Sequence, residues 1–238
     1  VEVARGTESG TSGEARGVRE KVPSGRRFMA TSCCPAWRMM ARRRVPAESG
    51  NISRTYTPMV YTARLVKKEH PNSKVVFIGP CAAKKLEAMQ DDIRTDVDFV
   101  LTYEELMGIF EAKEINFSPL PDSPELDEGT RAGRGFAVAG GVAAAVEELI
   151  HKGRPDIELK TQRADGLRDC RKLLMLAKAG KLDGYLLEGM ACPGGCVAGA
   201  GTVVSADTAA KKLAQHMAQA SRETAKDSKY RKLDDQLN

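Results

Sequence analysis

Apolar residues recur along most of this chain in short β-branched runs that alternate with helical spacings, the pattern of a parallel sheet covered by helices. The run Lys74-Val-Val-Phe-Ile-Gly79 predicts a buried strand, preceded by a helix over about 57–69 that His70-Pro71 closes. A second strand is expected over 97–101. Thr102 and Glu105 then form a capping box that opens a helix over 103–113. Between Phe136 and Ile150, Gly140-Gly141 precedes an Ala-rich segment, so a tight backbone turn into a helix is expected there. The alternation continues with strands over 157–160 and 184–187 and helices over about 167–179 and 206–221.

Two stretches break the pattern. Residues 1–27 are rich in Gly, Ser, Glu and Arg without sustained apolar periodicity, and are expected to be an irregular or truncated edge that would not fold alone. Residues 116–134 are rich in Pro, Asp, Glu and Gly and predict a long loop between halves. The expected fold is therefore α/β: residues 28–238 form one domain with two lobes of mainly parallel sheet flanked by helices, divided near 116–134.

Composition narrows the function. At 238 residues the chain is long enough to bury a sizeable core, and 42% hydrophobic with 29% charged residues is ordinary for a globular protein. The 37 basic against 32 acidic residues make a mixed surface, and the densest basic run, Arg42 to Arg44, has no interleaved aromatics to stack on bases, so nucleic acid is not expected. That run fits a solvated helix end. No stretch reaches the roughly 18 apolar residues that span a bilayer, and the polar N-terminus does not resemble a signal peptide, so a cytoplasmic location is expected. Six cysteines are too sparse for a disulfide scaffold and point to metal or redox chemistry.

Their spacing carries the chemistry. Cys192-Pro-Gly-Gly-Cys196 directly follows an expected strand, and its glycines let the backbone approach a cluster and offer N–H groups to sulfide. Structural zinc is the rival, but it usually takes two short pairs and only this pair is so spaced. In Cys33-Cys34 the adjacent side chains diverge, so one ligand and one free thiol is the natural reading. Cys81 also follows a strand, so three loops could bring four thiolates to one cleft at the carboxyl ends of a parallel sheet. Cys170 lies alone in an expected helix, where a small buried hydrophobe is the simpler reading.

Three segments, Thr31-Ser-Cys-Cys-Pro-Ala-Trp37, Gly79-Pro-Cys-Ala-Ala-Lys-Lys-Leu-Glu87 and Glu188-Gly-Met-Ala-Cys-Pro-Gly-Gly-Cys196, resemble in order and spacing the signature motifs of the FeFe-hydrogenase catalytic domain. The resemblance covers about 28–201. It implies an H-cluster in the cleft: a 4Fe-4S cubane on Cys34, Cys81, Cys192 and Cys196, joined through Cys196 to a di-iron unit with CO, cyanide and azadithiolate. The implied reaction is the reversible oxidation of H2 to protons and electrons, with a ferredoxin or an electron-transfer subunit as partner and maturation proteins to supply the di-iron unit. Cys33 would pass protons to the dithiolate amine, Lys84 would hydrogen-bond a cyanide, Met190 would pack near the bridging carbonyl, and Phe136, Pro58 and Met59 would line the cofactor. Glu87 and Ser53 match positions on the family's proton path, Ser53 by its spacing from Cys34 and Pro46. Glu14 matches a further glutamate of that path once a gap is allowed.

The sequence also departs from the family. Gly17 stands where a second relay carboxylate is expected, Gly79 replaces a methionine, Met59 replaces a glutamine, and Gly199-Ala200-Gly201 lacks a following glutamine. The family's usual segment before the first motif, which supplies part of the pocket, is expected to be missing, as are the electron-relay clusters, because no cysteine precedes Cys33. These features resemble divergent, including sensory, hydrogenases. Two alternatives follow: a hydrogen-sensing homologue, and a hydrogenase-like iron-sulfur assembly factor without the di-iron unit, for which Cys33, Lys84 and Met190 would have no use.

Overall fold

The computed structural model describes residues 1–119 and 128–232. Its first element corrects the sequence reading, because α1 (Ala4–Lys21) is an 18-residue helix where irregular structure is expected. Periodicity misses it because it is buried by polar contacts and close backbone approach rather than by an apolar stripe. At Gly6 a Cβ would stand 2.2 Å from the Pro58 carbonyl oxygen, so only glycine lets this helix reach its neighbour. The Gly6 N–H donates to Thr62 Oγ1 at 3.1 Å, and the buried Glu8 carboxylate accepts from the Thr130 N–H at 2.9 Å.

The expected alternation follows. Strand β1 (Met29–Ala30) leads into helix α2 (Pro35–Arg44), whose last turn carries Arg42, Arg43 and Arg44 as expected. Helix α3 (Pro58–Glu69) precedes β2 (Val76–Ile78), α4 (Ala83–Ala88) and β3 (Phe99–Leu101). Helix α5 (Tyr103–Ala112) opens on the expected Thr102–Glu105 capping box, with both reciprocal hydrogen bonds present. The expected lobe boundary falls partly on residues 120–127, outside the described residues, and the chain is helical again in α6 (Arg131–Arg134). Gly140, at φ 92°, makes the expected turn into α7 (Gly141–Gly153). Strand β4 (Thr161–Asp165), α8 (Leu167–Lys178), β5 (Leu186–Met190) and α9 (Ala206–Ala218) complete the series.

The strands form two parallel sheets, β1-β5-β4 and β2-β3. Central β5 is buried along its whole length, as a parallel strand covered on both faces must be. Two strand predictions need correction. The strand expected over 157–160 lies at Thr161–Asp165: Ile157 and Leu159 pack against a core cluster before the strand, and pairing with β5 recruits the more polar residues that an edge tolerates. The Val76–Ile78 strand is not buried, since Val76 and Ile78 are each 44% exposed on the open face of a two-stranded sheet.

The largest core cluster holds Phe28, Trp37, Phe136, Leu174, Leu187 and Met190 together with Cys34. Leu174 is fully buried in it. Leu174→Ala should lower the unfolding free energy by roughly 2–5 kcal/mol in a denaturant titration, through lost transfer energy and an unfilled cavity.

Candidate metal centre

Three of the four motif cysteines sit just past the carboxyl ends of parallel strands, and Cys196 lies farther along the loop after β5. Cys34 caps the N-terminus of α2 in extended conformation after β1, Cys81 follows β2, and Cys192 follows β5. The segments are tied together: the Gly201 N–H donates to the Pro80 carbonyl at 2.9 Å, and the Ala191 N–H donates to Cys34 Sγ at 3.4 Å. The loop between Cys192 and Cys196 turns through Gly194 and Gly195, both at positive φ. A Cβ on Gly195 would come 2.6 Å from the Ala139 nitrogen, so the loop cannot carry a side chain there.

The four thiols lie within electrostatic reach of one another. Burial pushes Cys34 up, with a further push from Cys81 that the Trp37 and Ala191 N–H groups and Lys84 oppose. Burial likewise pushes Cys192 up, then Cys34 and Cys81. Cys196 is pushed up to about 12, again by burial first and then by Cys34 and Cys81. Such a group is uncomfortable as bare thiolates, and a cationic cluster that takes thiolates turns that repulsion into binding energy. Among the described residues no three His, Cys, Asp or Glu side chains are arranged to hold a single ion.

Cys33 packs against the main core cluster, and its thiol is raised well above the usual range by burial, then by Glu188, Cys34 and Glu14. The structure brings Glu14, on α1, to this position: its Oε1 accepts from the Ser32 N–H and hydroxyl at 3.2 Å each. Its Oε2 is buried without a well-formed hydrogen bond, and the Ser53 hydroxyl beside it stabilises the charged form. Burial outweighs these contacts and raises Glu14 to about 7. Its folded value lies above the ordinary carboxylate value of 4.5, so its contribution to stability declines as pH rises from about 4.5 through 7. Glu14→Gln should remove that part of the decline, up to roughly 3 kcal/mol, when wild type and variant are unfolded by urea across this window.

Glu87 lies in a different group. Fully buried, it accepts from Lys84 Nζ at 2.6 Å, Thr57 Oγ1 at 3.2 Å and Arg38 Nη2 at 3.4 Å. Glu14, rather than Glu87, therefore joins Cys33 and Ser53. At Gly17 an added Cβ would meet Met29 Sδ at 2.8 Å, so this position of α1 faces the core. Met190 and Phe136 belong to the cluster that includes Cys34, whereas Met59 packs with Val60, Ala63, Ile93 and Val97 in a separate cluster that includes residues of the second sheet. Pro58 opens α3 and lies against α1. Cys170 is buried, its thiol 3.3 Å from the Ala164 and Met190 carbonyl oxygens, as befits a structural cysteine.

Two carboxylates that sequence reasoning passed over position the third motif. Glu188, buried in β5, accepts from the Gly140 and Ala143 N–H groups at 2.7 Å each, capping α7 and fastening it to the strand that carries Cys192. The signal was present, since a lone glutamate in an otherwise apolar buried strand needs partners. Asp165, at the end of β4, accepts from the Gly194 N–H inside the cysteine loop. Asp165→Asn should keep the fold and shift the reduction potential of a reconstituted cluster upward, read by redox titration, because a negative charge beside the cluster is lost.

Residues 1–200 match the family model described as the iron only hydrogenase large subunit, C-terminal domain. The chain belongs to this family. It is 28% identical to the periplasmic Fe hydrogenase large subunit of Nitratidesulfovibrio vulgaris, over 73% of this chain and 51% of that protein. It is also 26% identical to the cytosolic iron-sulfur assembly component 3 of Rattus norvegicus, over 86% of this chain and 52% of that protein. It thus spans about half the length of these relatives. A solved variant of the FeFe-hydrogenase HydA1 from Chlamydomonas reinhardtii superposes with a TM-score of 0.71 at 25% identity, covering 99% of this chain and 79% of that one. The matched family region begins at residue 1, so α1 is part of the hydrogenase domain. Among the described residues no helix is long and apolar enough to cross a membrane.

Proposed function

We propose that this hydrogenase-family chain holds an H-cluster and catalyses the reversible oxidation of H2 with a ferredoxin or similar electron-transfer partner. The observation that carries this reading is a fifth thiol, Cys33, partly buried against the core and within electrostatic reach of Cys34, Cys196 and Glu14. Cys34, Cys81, Cys192 and Cys196 would hold the 4Fe-4S cubane. Four thiols that influence one another without converging on one point suit a polynuclear cluster better than one zinc ion, around which sulfurs crowd to about 4 Å. The di-iron unit, when bound, supplies the metal and amine at which hydrogen is split or formed.

The chain's own residues then have distinct tasks. Cys33, bound to no metal, carries protons between the cofactor and Glu14, whose value of about 7 lets it both take and release a proton near neutrality. Ser32 and Ser53 hold Glu14 in register with that thiol. Lys84, braced by Glu87, presents an ammonium donor at the cleft, and Arg38 supplies Glu87 with a second cation. Phe136 and Met190 keep water from the buried side.

Non-catalytic assembly is the second reading, favoured by the assembly-component relative. The two differ in what the chain retains. Expressed with the di-iron maturation proteins, it is expected to show infrared bands of bound CO and cyanide and to exchange deuterium with water. A loaded cubane without those bands would overturn the hydrogenase reading and leave the assembly role, while bands without exchange would favour a sensor.

A further inference from the structure

A concavity lined by two arginines is not used by the proposed chemistry. Arg42 from the last turn of α2, Ser49 and Gly50 from the short turn Pro46–Asn51, and Ile52 and Arg54 just after it line a pocket of about 340 Å³. That is within the range of small-ligand sites. Neither the Arg42 nor the Arg54 guanidinium has an ion pair or hydrogen bond among the described residues. Arg26 stands close enough to Arg54 to feel its charge, and its Nη1 is buried without a partner. Gly50 leaves open space, with nothing within 4 Å of where a Cβ would project.

Guanidiniums gathered without counter-ions repel one another. Burial lowers Arg26 and Arg42, and Arg54 lowers both further, with Arg38 also acting on Arg42. The opposing acids are Glu14 for Arg26 and Asp92 for Arg42, and neither forms an ion pair with its arginine. A bound oxyanion relieves the repulsion and fills the planar N–H forks, which suit phosphate and carboxylate oxygens. No aromatic ring lines the pocket, so stacked bases are not what it is shaped to receive.

We propose that this pocket binds a small multivalent oxyanion, a phosphate or polycarboxylate compound, gripped by Arg42 and Arg54. Arg54, which lines the pocket, directly follows the buried Ser53 in the chain. The proposal does not depend on the hydrogenase reading.

Inorganic phosphate and citrate are the probes, titrated separately into the full chain by calorimetry at low and constant ionic strength. Saturable one-to-one binding of at least one of them is expected, and which one saturates identifies the acid group preferred. R54Q should weaken that binding at least about tenfold, since one charge-assisted contact is lost. R42Q/R54Q should abolish it. R43Q, in the same basic run but outside the pocket, should leave it unchanged, and thermal unfolding checks that all variants fold. Absence of saturation by either probe, equal weakening by R43Q, or binding confined to long polyanions such as heparin would overturn the site.

Discussion

Cys196→Ala is expected to abolish both cluster binding and hydrogen turnover while leaving a folded chain. Cys34, Cys81 and Cys192 all act on the Cys196 thiol, so cysteines from the three motifs lie within electrostatic reach of it. Removing it leaves three of the four motif thiols that would hold the cubane, and under the proposed function the di-iron chemistry would be lost with it. Iron and acid-labile sulfide per chain after reconstitution measure the first loss, and deuterium exchange the second. Cys170→Ala is the control: it should keep full iron and lose only about 1 kcal/mol of stability, because that thiol donates weakly to the Ala164 and Met190 carbonyls. Unchanged iron in the Cys196 variant, or lost iron in the Cys170 variant, would mean the ligand set is wrong.

The candidate ligand set was suggested by the sequence because strand-end cysteines announce themselves through their neighbours. Gly79-Pro80 stops β2 just before Cys81, and the Pro-Gly-Gly spacer is uncommon except where backbone must crowd a ligand. The capping box at Thr102 was legible for a similar reason, since it is written in two residues three apart. Helix α1 was not legible, because its burial rests on long-range partners: Gly6 against Pro58, Glu8 against Thr130 and Glu14 against Ser32. No local periodicity encodes such contacts. The same blindness hid the anchoring roles of Glu188 and Asp165, each of which depends on where a distant backbone N–H lies. It also hid the partners of Glu87, which the family resemblance placed on a proton path. In the fold it braces Lys84 and Arg38, and the acid beside Cys33 comes from the segment that had seemed irregular.

That placement leads to the sharpest expectation for catalysis. Cys33→Ala should keep the full iron content and the infrared bands, and should lower hydrogen turnover by about 10²–10⁴-fold, the usual value of a positioned proton carrier. Alanine is close in size to a thiol already packed against the core, so the pocket has little reason to collapse. Glu14→Gln should depress turnover by a similar factor, because glutamine holds the Ser32 contacts but carries no proton. If both residues serve one route, the double variant should be hardly slower than either single one; losses that multiply would point to two independent routes. Loss of iron from Cys33→Ala would instead mean that Cys33, not Cys34, is the ligand. Full turnover in Glu14→Gln would mean that protons leave Cys33 on a side α1 does not cover.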